Sequence, residues 1–242
     1  MLLLAIDTCD SRGSLALLRD ETVLNHTVHE GQEEYSSWLM GAVDATLKAA
    51  GQQVSAIDVF AVATGPGSFT GARIGLTAVK AWSEVYAKPI AGISRLEALA
   101  SQAAPEGEYV ASFFDGSRNQ VFGALYRRTA DTELQRVGDD LVLAPSEFVT
   151  WVDEQSNGAR VCWASLDPEK LTADSAWKSR TDRGETIVRV SSNLAPVIGK
   201  MGHARALRKD LTDALALDAN YVRRTDAEVF WGKAGKSQGL PK

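Results

Sequence analysis

Cysteine and histidine are scarce in this chain: two cysteines, Cys9 and Cys162, and three histidines, His26, His29 and His203, in 242 residues. The cysteines match no metal or redox spacing and read as reduced, mostly buried thiols. His26 and His29 fall on a segment that reads as a strand. At i and i+3 they point to opposite faces, which excludes a metal site built from that pair. Long apolar runs are also missing. No stretch approaches the roughly 20 residues of a membrane span. The apolar start, residues 1–6, is short, lacks a basic region and ends at Asp7, so no signal peptide is read and a cytoplasmic protein is expected. Nor is there an excess of positive charge: 26 Lys and Arg against 31 Asp and Glu give a net charge of −5 and a pI near 5.3. Stand-alone binding to nucleic acid draws on cations that neutralise phosphates, so that role is disfavoured. The phosphate-loop ending Gly-Lys-Ser/Thr and the dinucleotide pattern G-x-G-x-x-G are both absent.

What is present is an ordinary globular composition, 45% hydrophobic and 24% charged, on a chain long enough for one large domain or two smaller ones. Residues 2–7, 14–18 and 22–29 read as three successive strands. Residues 33–50 carry Tyr35, Trp38, Leu39, Ala42, Val43, Leu47 and Ala50 at a helical period, closed by Gly51. A strand over 57–63, a helix over 71–87, a strand over 89–93 and a helix from the capping box Ser94-Arg95-Leu96-Glu97 through Ala103 complete the first half. The second half begins alike, with strands over 109–114, 120–127 and 134–143, a helix over 145–155 opened by Pro145, and a strand over 161–164. The pattern then loosens over 165–185, before a short strand over 186–190 and a helix over 194–208. Two successive β-β-β-α-β units predict a duplicated α/β fold with mixed sheets flanked by helices. The boundary is expected at Ala104-Pro105-Glu106-Gly107, giving lobes over 1–105 and 106–210 and a tail over 211–242 that could return to the first lobe.

The most informative segment is Thr64-Gly65-Pro66-Gly67-Ser68-Phe69-Thr70-Gly71-Ala72-Arg73-Ile74-Gly75, set between an apolar strand and a long helix. As a binding loop it would present backbone N–H groups of Ser68, Phe69 and Thr70 at a helix start. As architecture it turns the chain sharply and lets the helix pack closely through small residues; the architectural reading is preferred. The helices over 33–50 and 71–87 also carry more apolar surface than one sheet contact needs, which marks an interface.

With Ala5-Ile6-Asp7-Thr8 before it, and Phe114-Asp115-Gly116-x-Arg118, Tyr221-Val222-Arg223 and Trp231 after it, this segment resembles the TsaB (YeaZ) family over nearly the whole chain. The resemblance implies duplicated actin-like ATPase lobes of ribonuclease-H type. It implies a non-catalytic subunit, with no cofactor or metal of its own, that dimerises with and activates a TsaD-type threonylcarbamoyltransferase acting on adenosine in tRNA. A TsaE-type ATPase joins the pair, tRNA is met only through the complex, and the chain alone can form a homodimer. The alternative is an enzyme of the same fold, a small-molecule kinase or a glycoprotease-like hydrolase with its own nucleotide site.

Site residues follow from that resemblance. Asp7 and Thr8, the loop residues Gly65, Gly67, Ser68 and Thr70, and Asp115 would be a vestigial nucleotide or anion loop. Asp10 adds negative charge where a phosphate would sit, and 161–167 lacks the second Gly-rich loop of active relatives. TsaD-type catalysts carry two histidines on the first long helix; that helix holds none here, and Tyr35 stands near their place. The partner interface is expected at Trp38, Leu39, Val43, Gly71, Ala72, Gly75, Leu76 and Val79. Val79→Glu and Leu39→Arg are expected to abolish pairing in a monomer that stays folded. The tail from Tyr221 could touch RNA or the partner.

Overall fold

A computed structural model describes residues 1–30, 33–103, 108–129 and 133–223. The expected lobe boundary at 104–107 and the tail beyond Arg223, with Trp231, lie outside the described residues. In chain order the elements are β1 (Leu2–Asp7), β2 (Ser14–Arg19), β3 (Thr22–Val28), α1 (Tyr35–Ala49), β4 (Val59–Gly65), α2 (Phe69–Tyr86), β5 (Ile90–Ser94) and α3 (Arg95–Ala100). They continue with β6 (Tyr109–Asp115), β7 (Val121–Arg128), β8 (Leu134–Leu143), α4 (Pro145–Gln155), β9 (Val161–Ser165), α5 (Glu169–Thr172), α6 (Lys178–Thr181), β10 (Ile187–Arg189) and α7 (Ala195–Leu207).

The first five strands form one sheet in the order β3-β2-β1-β4-β5, and the last five repeat it as β8-β7-β6-β9-β10. In each sheet the first three strands are antiparallel and the remaining two parallel. This is the duplicated arrangement of mixed sheets expected from the element order. The central strand β1 is buried at all six positions, because helices cover both of its faces. Its side chains alternate: Leu2, Leu4 and Ile6 join Leu39, Val43, Leu76 and Val79 beneath α1 and α2. Leu3 and Ala5 face the other way, toward Ala195 and Ile198 of α7. The edge strand β3 carries Thr22, Asn25, His26 and Thr27 and is nowhere buried.

The sequence places α7 in the second half, yet it packs on β1, β2, β4 and β5 of the first sheet. Together with α3 it fills the layer between the sheets, where Val110, Phe114, Phe122 and Tyr126 of the second sheet meet them. Helix α4 covers the outer face of the second sheet through Phe148, Val149 and Val152. The weakly periodic region 165–185 holds the two short helices α5 and α6, which the sequence pattern does not show. Past α7 the chain returns to the first sheet. Ile90 and Thr212 form an antiparallel bridge, and the Asn220 N–H donates to the Thr64 carbonyl at 2.8 Å.

Candidate functional site

Two neighbouring features stand out: a polar cleft between the lobes and an apolar groove between α1 and α2. The cleft is built where β1, β4 and β6 end. Asp7 closes β1 and is fully buried, with one carboxylate oxygen accepting the Cys9 N–H at 2.9 Å. Its other oxygen accepts from Arg95 Nε at 3.1 Å. The same guanidinium, also fully buried, donates through Nη2 to Asp10 at 2.8 Å and lies 4.8 Å from the Phe114 ring centroid. Arg12 donates to the same Asp10 oxygen at 3.0 Å and reaches across to Asp167 of the second lobe, also at 3.0 Å. Asp167 accepts the Asp115 N–H at 2.9 Å, and Lys170 pairs with Asp115 at 2.9 Å.

Burial alone would raise the Asp10 pKa, but Arg95 and Arg12 override it and hold the carboxyl down at about 2. Burial also opposes the charge on Arg95, and the Asp7 and Asp10 carboxylates more than offset it, so the guanidinium is held still more firmly protonated. In a buried site an unpaired charge is costly, so this cluster persists as a unit. Asp7 and Asp10 therefore face an internal cation.

Tyr35 locks the hairpin beside them. Its hydroxyl donates to the Asp10 carbonyl and accepts the Gly13 N–H at 2.8 Å. Burial, with smaller contributions from Asp7 and Asp10, pushes the Tyr35 hydroxyl up to about 12. Burial, reinforced by Asp7, likewise pushes the Cys9 thiol well up.

The Gly-Pro-Gly loop packs directly onto this hairpin. The Gly65–Pro66 peptide is cis, and Ser68 caps α2 by accepting the Gly71 N–H at 3.2 Å. Gly67 has φ +156°, and a Cβ there would lie 2.1 Å from the Cys9 carbonyl oxygen. A Cβ on Gly71 would lie 2.0 Å from the Thr8 carbonyl, and one on Gly75 2.5 Å from Thr8 Oγ1. Thr8 in turn donates to the Gly71 carbonyl at 2.7 Å. The small residues of α2 thus admit the end of β1. Of the vestigial-loop residues, Asp7, Thr8, Gly65 and Gly67 lie together at this junction, while Ser68 and Thr70 are exposed at the start of α2. Asp115 stands across the cleft on the second lobe.

The expected interface residues sit differently from the reading that marked them. Leu39, Val43, Gly71, Ala72, Gly75, Leu76 and Val79 are buried by the chain's own sheet, Val79 completely, and Trp38 is half-buried. The expectation that Leu39→Arg and Val79→Glu spare the fold is corrected, because each would put a charge into the core under α1 and α2. The exposed part of this face is Met40 (55%), Phe69 (39%), Arg73 and Thr77. They line, with Leu39, Ile74 and Ala78, a groove of about 490 Å³.

The three histidines do not converge. His26 is exposed; His29 contacts the Glu33 carbonyl at 2.8 Å and packs on Tyr35 and Trp38; His203 lies 3.5 Å from Asp20. Sequence reasoning missed Arg95, the centre of the cleft. Only half of its expected capping box forms, with Ser94 accepting the Glu97 N–H while the Glu97 carboxylate pairs with Arg205 at 2.8 Å, and the only hint of the buried charge is an arginine inside the apolar run 90–100.

The fold and cleft define a class: a two-lobed actin-like protein whose interlobe carboxylates are neutralised by an arginine of its own. Comparison with known proteins agrees. The family model described as TsaD, tRNA N6-adenosine threonylcarbamoyltransferase, matches residues 22–157, more than half of the chain. The Bacillus subtilis protein named tRNA threonylcarbamoyladenosine biosynthesis protein TsaB is 35% identical over 127 residues, 52% of this chain and 56% of that protein. The Haemophilus influenzae protein of the same name is 27% identical over 96% of each chain. The solved structure of YeaZ from Pseudomonas aeruginosa superposes with a TM-score of 0.70 at 24% identity, covering 91% of this chain and 99% of that one. The chain belongs to the family that this model describes and, within it, to the TsaB (YeaZ) branch. Among the described residues, no helix is long and apolar enough to cross a membrane.

Proposed function

We propose that this chain is a non-catalytic subunit in the formation of threonylcarbamoyladenosine in tRNA. It pairs with a TsaD-type paralogue and activates it. The observation that carries the first part of this reading is Arg95, whose guanidinium occupies the space between Asp7 and Asp10. A cation-bound nucleotide would need those carboxylates, and an internal guanidinium already satisfies them. That weighs against the alternative of a kinase-like or hydrolase-like enzyme with its own nucleotide site.

The groove over Met40, Phe69, Arg73 and Thr77 supports the pairing, since exposed apolar side chains rimmed by polar ones suit a partner helix. The same groove would serve self-association of the chain alone. Activation follows by linkage: a subunit that binds only the competent conformation of its partner raises the population of that conformation. The acidic net charge supports tRNA contact through the complex, and a TsaE-type ATPase would join the assembled pair.

Mixing the purified chain with the TsaD-type protein of its own organism tests the reading. A stable hetero-complex is expected by size-exclusion chromatography with light scattering, with transfer of the threonylcarbamoyl group to tRNA only when both are present. Transfer by the partner alone at the same rate, or hydrolysis of ATP by this chain alone, would overturn it.

A further inference from the structure

A cavity of about 450 Å³ lies between the lobes, where β5 and α3 of the first half face β7 and β8 of the second. It shares only Asn220 with the wall of the cleft that Asp10 and Arg12 line. Its wall carries charges of both signs. Glu97 of α3 and Arg205 of α7 pair there at 2.8 Å, and Arg136 of β8 stands at its exposed edge. Tyr126 of β7 is the direct cross-strand partner of Arg136, so both side chains rise from one face of the second sheet. Asp140 stands behind them. It meets Arg136 at 3.5 Å, accepts from Ser94 Oγ at 3.5 Å and accepts from the Asn220 side-chain amide.

One group in this wall is left over. The Tyr126 hydroxyl is buried and makes no hydrogen bond among the described residues. Ser94 stands beside it but turns its own hydroxyl hydrogen to Asp140. Burial, reinforced by Asp140 and Glu97, pushes the Tyr126 hydroxyl up, so it stays a donor. Buried polar groups are almost always paired, and this one borders a cavity.

The carboxyl groups indicate what suits it. Burial holds Glu97 above its ordinary value despite Arg205, and Asp140 above its own despite Asn220 and Arg136. Negative charge is thus under-compensated. A simple anion would compete for the arginines and worsen that balance. A simple cation would leave Arg136 and the Tyr126 hydroxyl without an acceptor. An occupant with one charge of each sign, close together, satisfies both sides.

We infer that this cavity binds a small free amino acid, its carboxylate on Arg136 and the Tyr126 hydroxyl and its ammonium on Glu97. Thr64 and Asn220 line the remaining wall and suit a short polar side chain. Because the wall draws on both lobes, an occupant stabilises the arrangement that holds them together. The inference is independent of the partner reading.

Titration of the full chain with L-serine, followed by amide NMR shifts, tests it. The controls are ethanolamine, which is serine without the carboxylate, and β-hydroxypropionate, which is serine without the ammonium. L-serine is expected to saturate below about 10 mM, with shifts at 94–97, 126 and 134–136, and each one-ended analogue to bind at least about tenfold more weakly. Tyr126→Phe removes only the unpaired hydroxyl. It should leave the thermal midpoint unchanged or raised and weaken serine binding roughly tenfold. Arg136→Gln, at the exposed edge, gives a second reading: serine should weaken by at least as much while ethanolamine is unaffected. No saturable binding of serine overturns the inference. β-Hydroxypropionate binding as tightly as serine would show an anion site, and ethanolamine doing so a cation site; either overturns it. Full serine affinity in both variants would place the ligand elsewhere and overturn it as well.

Discussion

Arg95 and Asp7 lie 88 residues apart in sequence, meet at 3.1 Å, and are both completely shielded from solvent. The pair ties the start of α3 to the end of β1, and through Asp10 it fixes the hairpin that the Gly-Pro-Gly loop packs upon.

Removing the guanidinium leaves the fully buried Asp7 carboxylate without its cation and Asp10 with Arg12 alone. Arg95→Met should cost about 3–5 kcal/mol of stability, the usual consequence of breaking a buried pair on one side. Arg95→Lys should recover only part of that, because a point ammonium cannot bridge Asp7 and Asp10 as a planar fork does. Urea titration of the three proteins reads the difference, and an unchanged midpoint for Arg95→Met would show that the cluster contributes nothing.

Acid should weaken the same cluster. The Asp10 carboxyl titrates at about 2 in the folded protein against an ordinary value of 3.8. In that interval the unfolded chain binds the proton first, so the stabilisation is complete above about pH 4 and is lost as the pH falls toward 2. The shift corresponds to about 2 kcal/mol. The stability gap between the native protein and Asp10→Asn should therefore shrink by about that amount between pH 5 and pH 2. A gap independent of pH would contradict the ion-pair geometry.

On the helical face, core and surface should separate cleanly. Val79→Glu, placing a charge at a site with no exposure, should unfold the chain or cost more than about 3 kcal/mol. Met40→Glu, at 55% exposure, should leave stability within about 0.5 kcal/mol of the native value while abolishing pairing with a TsaD-type partner. Circular dichroism melts and co-elution distinguish the two variants. Undiminished co-elution of Met40→Glu would remove the groove from the interface.

At the α2 start, Gly71→Ala should destabilise by about 1–3 kcal/mol, since the new methyl would overlap the Thr8 carbonyl unless helix and hairpin separate. Gly41→Ala, where the space around a Cβ is open, should instead stabilise α1 by about 0.5–1 kcal/mol through helix propensity. Thermal melts of the two alanine variants should move in opposite directions.

Much of the architecture is legible in the sequence because it is written in local patterns. The unbroken apolar run of β1, the 3.6-residue period of α1 and the repeated strand-strand-strand-helix order all translate directly into elements. The cleft is less legible, because it is made by pairs distant along the chain. Nothing near Arg95 indicates that its guanidinium finds Asp7, and Arg12 finds Asp167 only through the stacking of two sheets. The interface residues show a different limit. Periodicity marks the apolar stripes of α1 and α2, but it does not divide each stripe between the sheet beneath and the solvent. Leu39 and Met40 are neighbours in sequence and end on opposite sides of that division. The position of α7 was hidden for a related reason: its order places it with the second sheet, whereas Gly199 and Gly202 seat it closely against Leu18 and Ala61 of the first.

That crossing of α7 bears on how the protein is made. Leu3, Ala5, Ala16 and Leu18 are complete as strand residues early in synthesis, yet the helix that shields them ends at Leu207. At ~5–20 residues per second, the ribosome needs on the order of ten seconds to travel from β5 to the end of that helix. Through that interval the nascent first half presents an uncovered apolar sheet face, a natural substrate for holding chaperones. The lobe that begins the chain is thus among the last parts to be finished.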